Sequence, residues 1–258
     1  MSGEPGSFVV TGAAGGVGAA AVRQLAERGA NVMAVDIDAD GLERTRETTS
    51  GAPGAVVTQR ADVGDENAVR SYVDDAAGRF GGLDGVFNIA GIEGKFEFIG
   101  GGSTENYDNV MRVNARSVFL NMKYVIPKLI ENGGGAVVNV GSHLAWHGAA
   151  TLGAYCASKH AVLGLTRAGA LEHATQNVRV NAVCPSSIET AMAERVSFAI
   201  NPDDIRAGKQ VLIDQSPNER LATADEVAAV GVWLLLDAPH HINGTLIPVD
   251  GGQAARAR

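Results

Sequence analysis

The chain of 258 residues predicts an α/β fold: a single doubly wound domain on a seven-stranded parallel sheet, with helices on both faces. Three observations carry this. Short β-branched runs alternate with longer helical patterns along the whole length. The strand runs are apolar on consecutive residues, as in a parallel sheet covered on both sides. A glycine-rich turn stands at the first strand-to-helix junction.

In order, Phe8-Val9-Val10 reads as the first strand and 17–29 as the helix that returns from it. The runs 31–35 and 55–57 are the next strands, separated by a helical pattern over 39–48. A helix over 65–79 leads to a strand at 83–87, and one long helix over 104–131 leads to a strand at 136–140. Helix 153–174 precedes strand 178–183, and helix 223–236 precedes the last strand, 245–249. Such alternation implies right-handed crossovers and a parallel sheet. No Pro- or Ser-rich linker or repeat divides the chain, so residues 1–258 are read as one domain. The stretch 186–217 is too long for a simple connection and is expected to be a substrate-binding loop or lid.

Composition narrows the function. Apolar residues are 45% and charged residues 19% of the chain, enough to bury a core. Twenty-nine acidic residues against 21 Lys and Arg leave a formal charge of −8 with no basic cluster, which argues against nucleic acid as a partner. The opening Met1-Ser2-Gly3-Glu4-Pro5-Gly6 lacks the basic-then-apolar pattern of an export signal, and the longest apolar run, near 230–236, is too short to span a membrane. Cys156 and Cys184 lack metal-ligand spacing and read as small buried hydrophobes in a reducing compartment. The expectation is a soluble, cytoplasmic protein without a metal site or membrane partner.

The first strand runs into Thr11-Gly12-Ala13-Ala14-Gly15-Gly16-Val17-Gly18. Glycines there permit a tight turn, a close approach of pyrophosphate to the helix N-terminus, and close packing of helix on strand. The second strand ends at Asp36, 18 residues beyond Gly18. A carboxylate at that place accepts ribose hydroxyls and repels a 2′-phosphate. Gly15, Asp38 and Asp40 add no base nearby, so the residues favour NAD over NADP.

The ordered motifs resemble the short-chain dehydrogenase/reductase family, and the likeness covers nearly the whole chain. Thr11-Gly12-x-x-x-Gly16-x-Gly18 resembles its cofactor turn, and Asp62-Val63 its adenine-contacting pair. Asn88-Ile89-Ala90-Gly91 resembles its Asn-Asn-Ala-Gly segment, with Ile for the second Asn. Cys184-Pro185-Ser186-Ser187-Ile188-Glu189-Thr190 resembles its Pro-Gly-x-x-x-Thr segment, with Ser186 where Gly is usual. Asn114, Ser142, Tyr155 and Lys159 resemble its catalytic tetrad.

The resemblance implies a Rossmann domain and a cofactor site of Gly12, Gly15, Gly16, Val17, Gly18, Asp36, Ile37, Asp62, Val63, Asn88, Ala90, Gly91, Pro185, Ile188 and Thr190, joined by Tyr155 and Lys159. It also implies that Asn114 orders a water in a proton relay to Lys159, and that the protein is a homotetramer built on helices 104–131 and 153–174 and the last strand.

The residues support the chemistry independently. Tyr155 and Lys159 are four apart on a helical pattern and share a face. A phenol with an ordinary pKa of about 10 needs lowering to act as a base near neutrality, which Lys159 and an oxidised nicotinamide can supply. Ser142 follows the fifth strand at the carboxyl edge, where open α/β sheets bind ligands. His143, Leu144, Trp146 and Met192 are candidate substrate contacts, although His143 could equally be a loop residue. Apolar residues at 92–99 and 188–213 suggest a mostly apolar pocket with few polar anchors.

These readings converge on NAD-dependent interconversion of a secondary alcohol and a ketone, on a bulky neutral alicyclic, aromatic or steroidal small molecule. The alternatives are a 3-oxoacyl carrier-protein reductase and an NAD-sensing module without catalysis.

Overall fold

The computed structural model describes residues 6–255; residues 1–5, which carry most of the N-terminal reading, lie outside the described residues. Seven strands form one parallel sheet: β1 (Ser7–Thr11), β2 (Asn31–Asp36), β3 (Val56–Arg60), β4 (Gly85–Asn88), β5 (Gly135–Val140), β6 (Val178–Pro185) and β7 (Leu246–Val249). Their order is β3-β2-β1-β4-β5-β6-β7, so the chain reverses its direction of winding between β1 and β4. That switch point leaves a crevice at the carboxyl ends of the strands.

The consecutive apolar residues of each strand are divided between two cores. Phe8, Val10, Val32, Ala34, Phe87, Ala136 and Val138 pack on one side, with α1 (Gly16–Glu27) and α9 (Ala224–Leu236). Val9, Met33, Val35, Val86 and Val137 pack on the other, with α3 (Glu66–Phe80), α5 (Ser117–Glu131) and α6 (Gly153–His173). Side chains alternate faces along a strand, so a strand covered twice must be apolar throughout. Two further helices, α2 (Ala39–Thr48) and α4 (Thr104–Met111), complete the α-helices outside 186–217 among the described residues.

Three sequence expectations need correcting. The long helix over 104–131 is interrupted: α4 passes into a π turn at Arg112–Arg116 before α5 begins. β3 extends to Arg60, beyond 55–57, because pairing with β2 continues to Asp36↔Arg60. The stretch 186–217 is not loop but mostly α7 (Ala191–Ile200) and α8 (Ile205–Asp214), which share a small core of Ala193, Leu212 and Leu221. Among the described residues, no helix is long and apolar enough to cross a membrane.

Candidate active site

A cleft of about 1640 Å³ runs along the carboxyl edge of the sheet. Its floor at one end is the glycine turn. Gly12 has φ 71°, and a Cβ there would stand 2.8 Å from Ala90 N, so both backbone conformation and space demand glycine. Gly15 precedes α1 with nothing within 4 Å of a would-be Cβ. No side chain caps α1, which leaves its first-turn N–H groups for a ligand's oxygens. Thr11 Oγ1 accepts from Ile89 N (3.1 Å) and Ala90 N (3.3 Å), tying the turn to the segment after β4.

Asp36 closes the turn from the side. One carboxylate oxygen accepts from Ala14 N and the other from Asp38 N, each at 3.0 Å. Ile37 beside it is exposed, and its carbonyl accepts from Arg60 Nε at 3.1 Å. Asp62 accepts from Gly64 N at 2.8 Å and takes Arg112 Nη1 on both oxygens, at 2.9 and 2.8 Å. Bare glycine amides, a carboxylate at the β2 end and the Asp62-Val63 wall make a cradle of the right chemistry for a dinucleotide.

At the other end stand Ser142, Tyr155 and Lys159, all bordering the cleft. Ser142 caps a short 3₁₀ turn, and its Oγ accepts from Leu144 N at 3.1 Å, leaving its O–H to donate elsewhere. Tyr155 and Lys159 lie one turn apart on α6, with Nζ 5.6 Å from the phenol ring centre. Lys159 is buried and Nζ donates to Val140 O at 2.8 Å. Burial lowers its pKa to about 8. Burial also pushes Tyr155 up to about 12, against the opposing effect of the Ser142 hydroxyl, while the Glu93 charge adds to the rise. The phenol thus stands above its ordinary value, not below it as Lys159 alone leads one to expect, because desolvation outweighs the Ser142 hydrogen bond.

Asn114 lies inside the π turn and is fully buried. Its Oδ1 accepts from Ile92 N, and its Nδ2 donates to Ile92 O, both at 2.8 Å, and to Ser158 Oγ at 3.0 Å. The side chain therefore staples the π turn to the segment after Gly91 and to α6. A Cβ on Gly91 would sit 3.3 Å from Asn114 Oδ1 and 3.6 Å from Lys159 Nζ, so glycine keeps the space between these two atoms free. π turns often mark functional sites, because they turn one side chain out of the regular helical register.

Of the other expected site residues, Val17, Val63, Ala90, Pro185, Ile188, Thr190, His143, Leu144 and Met192 border the cleft. Gly18, Asn88 and Trp146 do not border it. Gly18 lies under the turn, where a Cβ would stand 1.9 Å from Gly12 O, so it serves the packing of α1 on β1. Asn88 points into the sheet and donates to Asn139 Oδ1 at 2.9 Å. Trp146 turns outward and is partly exposed.

The pocket wall is mostly apolar, as expected, with Ile92, Phe96, Val196 and Leu212 in it, but some of the expected residues stand outside and some polar ones join it. Phe98 and Ile99 are exposed outside it, whereas Glu93, Arg195, Gln215 and Gln253 border it. Glu93 was legible only as a charge directly after the glycine motif, Ala90-Gly91-Ile92-Glu93; the two glutamines carry no local signal. Burial lowers the pKa of the His143 imidazole, with the Pro185 carbonyl opposing. Among the described residues, no group of three or more His, Cys, Asp or Glu is arranged to hold a metal.

The chain is similar to known proteins over nearly its whole length. A family model described as enoyl-(acyl carrier protein) reductase matches residues 12–254. Levodione reductase of Leifsonia aquatica is 39% identical over 249 residues, which is 96% of this chain and 93% of that protein. A 2,5-dichloro-2,5-cyclohexadiene-1,4-diol dehydrogenase of Sphingobium indicum is 34% identical, covering 96% of this chain and 97% of its own. The crystal structure of levodione reductase superposes with a TM-score of 0.95 at 36% identity, covering 98% of this chain and 99% of that one. NAD+-bound xylitol dehydrogenase superposes at 0.92 with 28% identity, covering 98% and 100%. With its strand order, glycine turn, and serine, tyrosine and lysine at one cleft, the chain belongs to the short-chain dehydrogenase/reductase family.

Proposed function

We propose that the protein is an NAD-dependent dehydrogenase that interconverts a secondary alcohol and a ketone on a bulky, neutral, cyclic small molecule. The observation that carries this reading is the meeting of Ser142, Tyr155 and Lys159 at one end of a cleft whose other end is the bare helix N-terminus and Asp36. Two relatives with ring-derived names, levodione reductase and the cyclohexadienediol dehydrogenase, support a cyclic substrate. The NAD+-bound neighbour and the absence of a base beside Gly15 support NAD.

The nicotinamide, when bound, supplies the hydride acceptor or donor and, when oxidised, a positive charge beside the phenol. Gly12, Gly15, Gly16 and Val17 would receive the pyrophosphate, and Asp36 with Ile37 would hold the adenosine ribose. Asp62 and Val63 would flank the adenine, while Ala90, Gly91, Pro185, Ile188 and Thr190 would flank the rest of the dinucleotide.

In alcohol oxidation Tyr155 Oη takes the hydroxyl proton as hydride leaves the carbinol carbon; in ketone reduction it returns that proton. Ser142 donates to the reacting oxygen and stabilises charge building there. Lys159 holds its ammonium near Tyr155 and would reach the ribose of a bound nicotinamide nucleotide. Asn114 fixes the π turn and the wall at Ile92, beside the space through which a proton reaches Lys159. His143, Leu144 and Met192 contact the substrate. The protein is one domain whose helices α7 and α8 form a lid over 186–217; it works in the cytoplasm as a homotetramer.

Steady-state kinetics with a panel of neutral alcohols tests the reading. kcat/KM should rise with ring size, because each added Å² of buried apolar surface contributes about 25 cal/mol. NAD should be preferred over NADP, and Tyr155→Phe should abolish turnover while NAD still binds. A preference for polyols or acyl thioesters would defeat the substrate assignment, and a preference for NADP would defeat the role of Asp36.

A further inference from the structure

Glu93 and Arg195 meet at the border of the cleft, one from the segment after β4 and the other from α7. Glu93 follows the glycine segment after β4, and its side chain is only 10% exposed. Arg195 projects from α7 and is 56% exposed. The two meet at two points: Arg195 Nε donates to Glu93 Oε1, and Nη2 donates to Oε2 at 3.1 Å. Both residues border the cleft, as do Phe96 on the Glu93 side and Met192 and Val196 on the α7 side. The α7–α8 pair carries its own small apolar core, separate from the two that hold the sheet. A unit with an independent core can move as a body, and what ties it to its neighbours then sets its position.

We propose that Arg195 is a positioning residue: its two-point ion pair with Glu93 holds α7 closed over the substrate end of the cleft. The proposal rests on the dehydrogenase reading for its consequence on substrate binding, but not for the closure itself. The two partners are unequal. Removing Arg195 leaves a carboxylate nearly out of water without a counter-charge, and such a group is costly until the lid opens and water reaches it. Removing the charge of Glu93 leaves a half-exposed guanidinium that water already solvates. Loss of Arg195 therefore drives the lid open, whereas loss of the Glu93 charge does so weakly and cancels the effect of losing Arg195.

The test uses the full chain with Arg195→Met, Glu93→Gln and the double variant. Thermolysin, which cuts beside apolar residues such as Phe198 and Leu212, reads opening of the 186–217 segment without reference to activity. Arg195→Met should be cut about tenfold faster, and KM for a cyclic alcohol should rise about tenfold with kcat changed less than about threefold. Adding Glu93→Gln should bring cutting and KM back to within about threefold of the wild type. A helix that merely needs the arginine stem would not be rescued by a change at Glu93.

Unchanged cutting in Arg195→Met, or no rescue by Glu93→Gln, would overturn the proposal. If Arg195→Met does not fold, Arg195→Lys should show the same changes at smaller amplitude, again reversed by Glu93→Gln, and unchanged cutting there overturns it equally. A wild type that turns over no alcohol would remove the functional reading, while the cutting rates would still decide the closure.

Discussion

Tyr155 and Lys159 are each shifted by burial in the direction that opposes their proposed charged forms: the phenol rises to about 12 and the ammonium falls to about 8. Bringing a phenol from about 12 to neutrality requires about 7 kcal/mol of anion stabilisation, at about 1.4 kcal/mol per pH unit. The proposed oxidised nicotinamide would supply part of that stabilisation. The same shifts have a stability signature. Lys159 titrates lower in the folded chain than its ordinary 10.5, so folding is penalised wherever the unfolded chain holds that proton and the folded site resists it. The penalty is full below about pH 8 and is relieved as pH rises from about 8 toward 10.5. Tyr155, raised from 10.0, begins to oppose this only above about pH 10. In the cofactor-free protein, the stability of wild type relative to Lys159→Met should therefore rise between pH 8 and about 10, by about 2–3 kcal/mol at most. Urea melts at each pH measure it; a flat difference across that window would mean that Lys159 is not desolvated by the fold.

Among the elements, the junction of β1 and α1 separates the residue that packs from the residue that leaves room. A Cβ on Gly18 would stand 1.9 Å from Gly12 O and 2.9 Å from Ala13 Cα, both backbone, so α1 must retreat from the turn. Gly15 meets nothing within 4 Å. Gly18→Ala should lower stability by about 1–3 kcal/mol, as overpacking does, and weaken NAD binding with it. Gly15→Ala should leave the unfolding midpoint nearly unchanged. Equal unfolding midpoints for the two variants would show that α1 does not need its close approach. The spacing of the turn is legible in the sequence, but this division of labour is not, because it depends on which backbone atoms lie across the junction. The π turn at Arg112–Arg116 is hidden for a similar reason. Its residues Arg112, Val113, Asn114, Ala115 and Arg116 continue a helical pattern without Pro or Gly. What opens the turn is tertiary: Asn114 bonded to Ile92, and Arg112 to Asp62. Likewise, the apolar run at 188–213 signals burial but not against what. The satellite core of α7 and α8 takes Leu212, while Phe198 and Val211 remain outside.

For the whole molecule, the sheet and the cleft at its carboxyl edge follow from strand-helix alternation, because right-handed crossovers leave few ways to wind such a chain. Assembly is a separate matter, carried by surfaces. Phe119 on α5 is 50% exposed and Leu171 on α6 is 84% exposed. A net charge of −8 disfavours contact between copies unless apolar area compensates. If α5 and α6 form a two-fold interface, each residue is buried twice in it, so losing one apolar side chain removes about 3–6 kcal/mol per interface. Phe119→Glu or Leu171→Glu should then split the proposed tetramer into smaller species at micromolar concentration, with added salt partly restoring it by screening the new charges. Sedimentation velocity reads this directly. A wild-type protein that sediments as a monomer would refute the assembly, and intact tetramers in both variants would move the interface away from these helices. Because α6 also carries Tyr155 and Lys159, the dissociated variants should lose kcat as well, since the partner that buries the outer face of α6 would be gone.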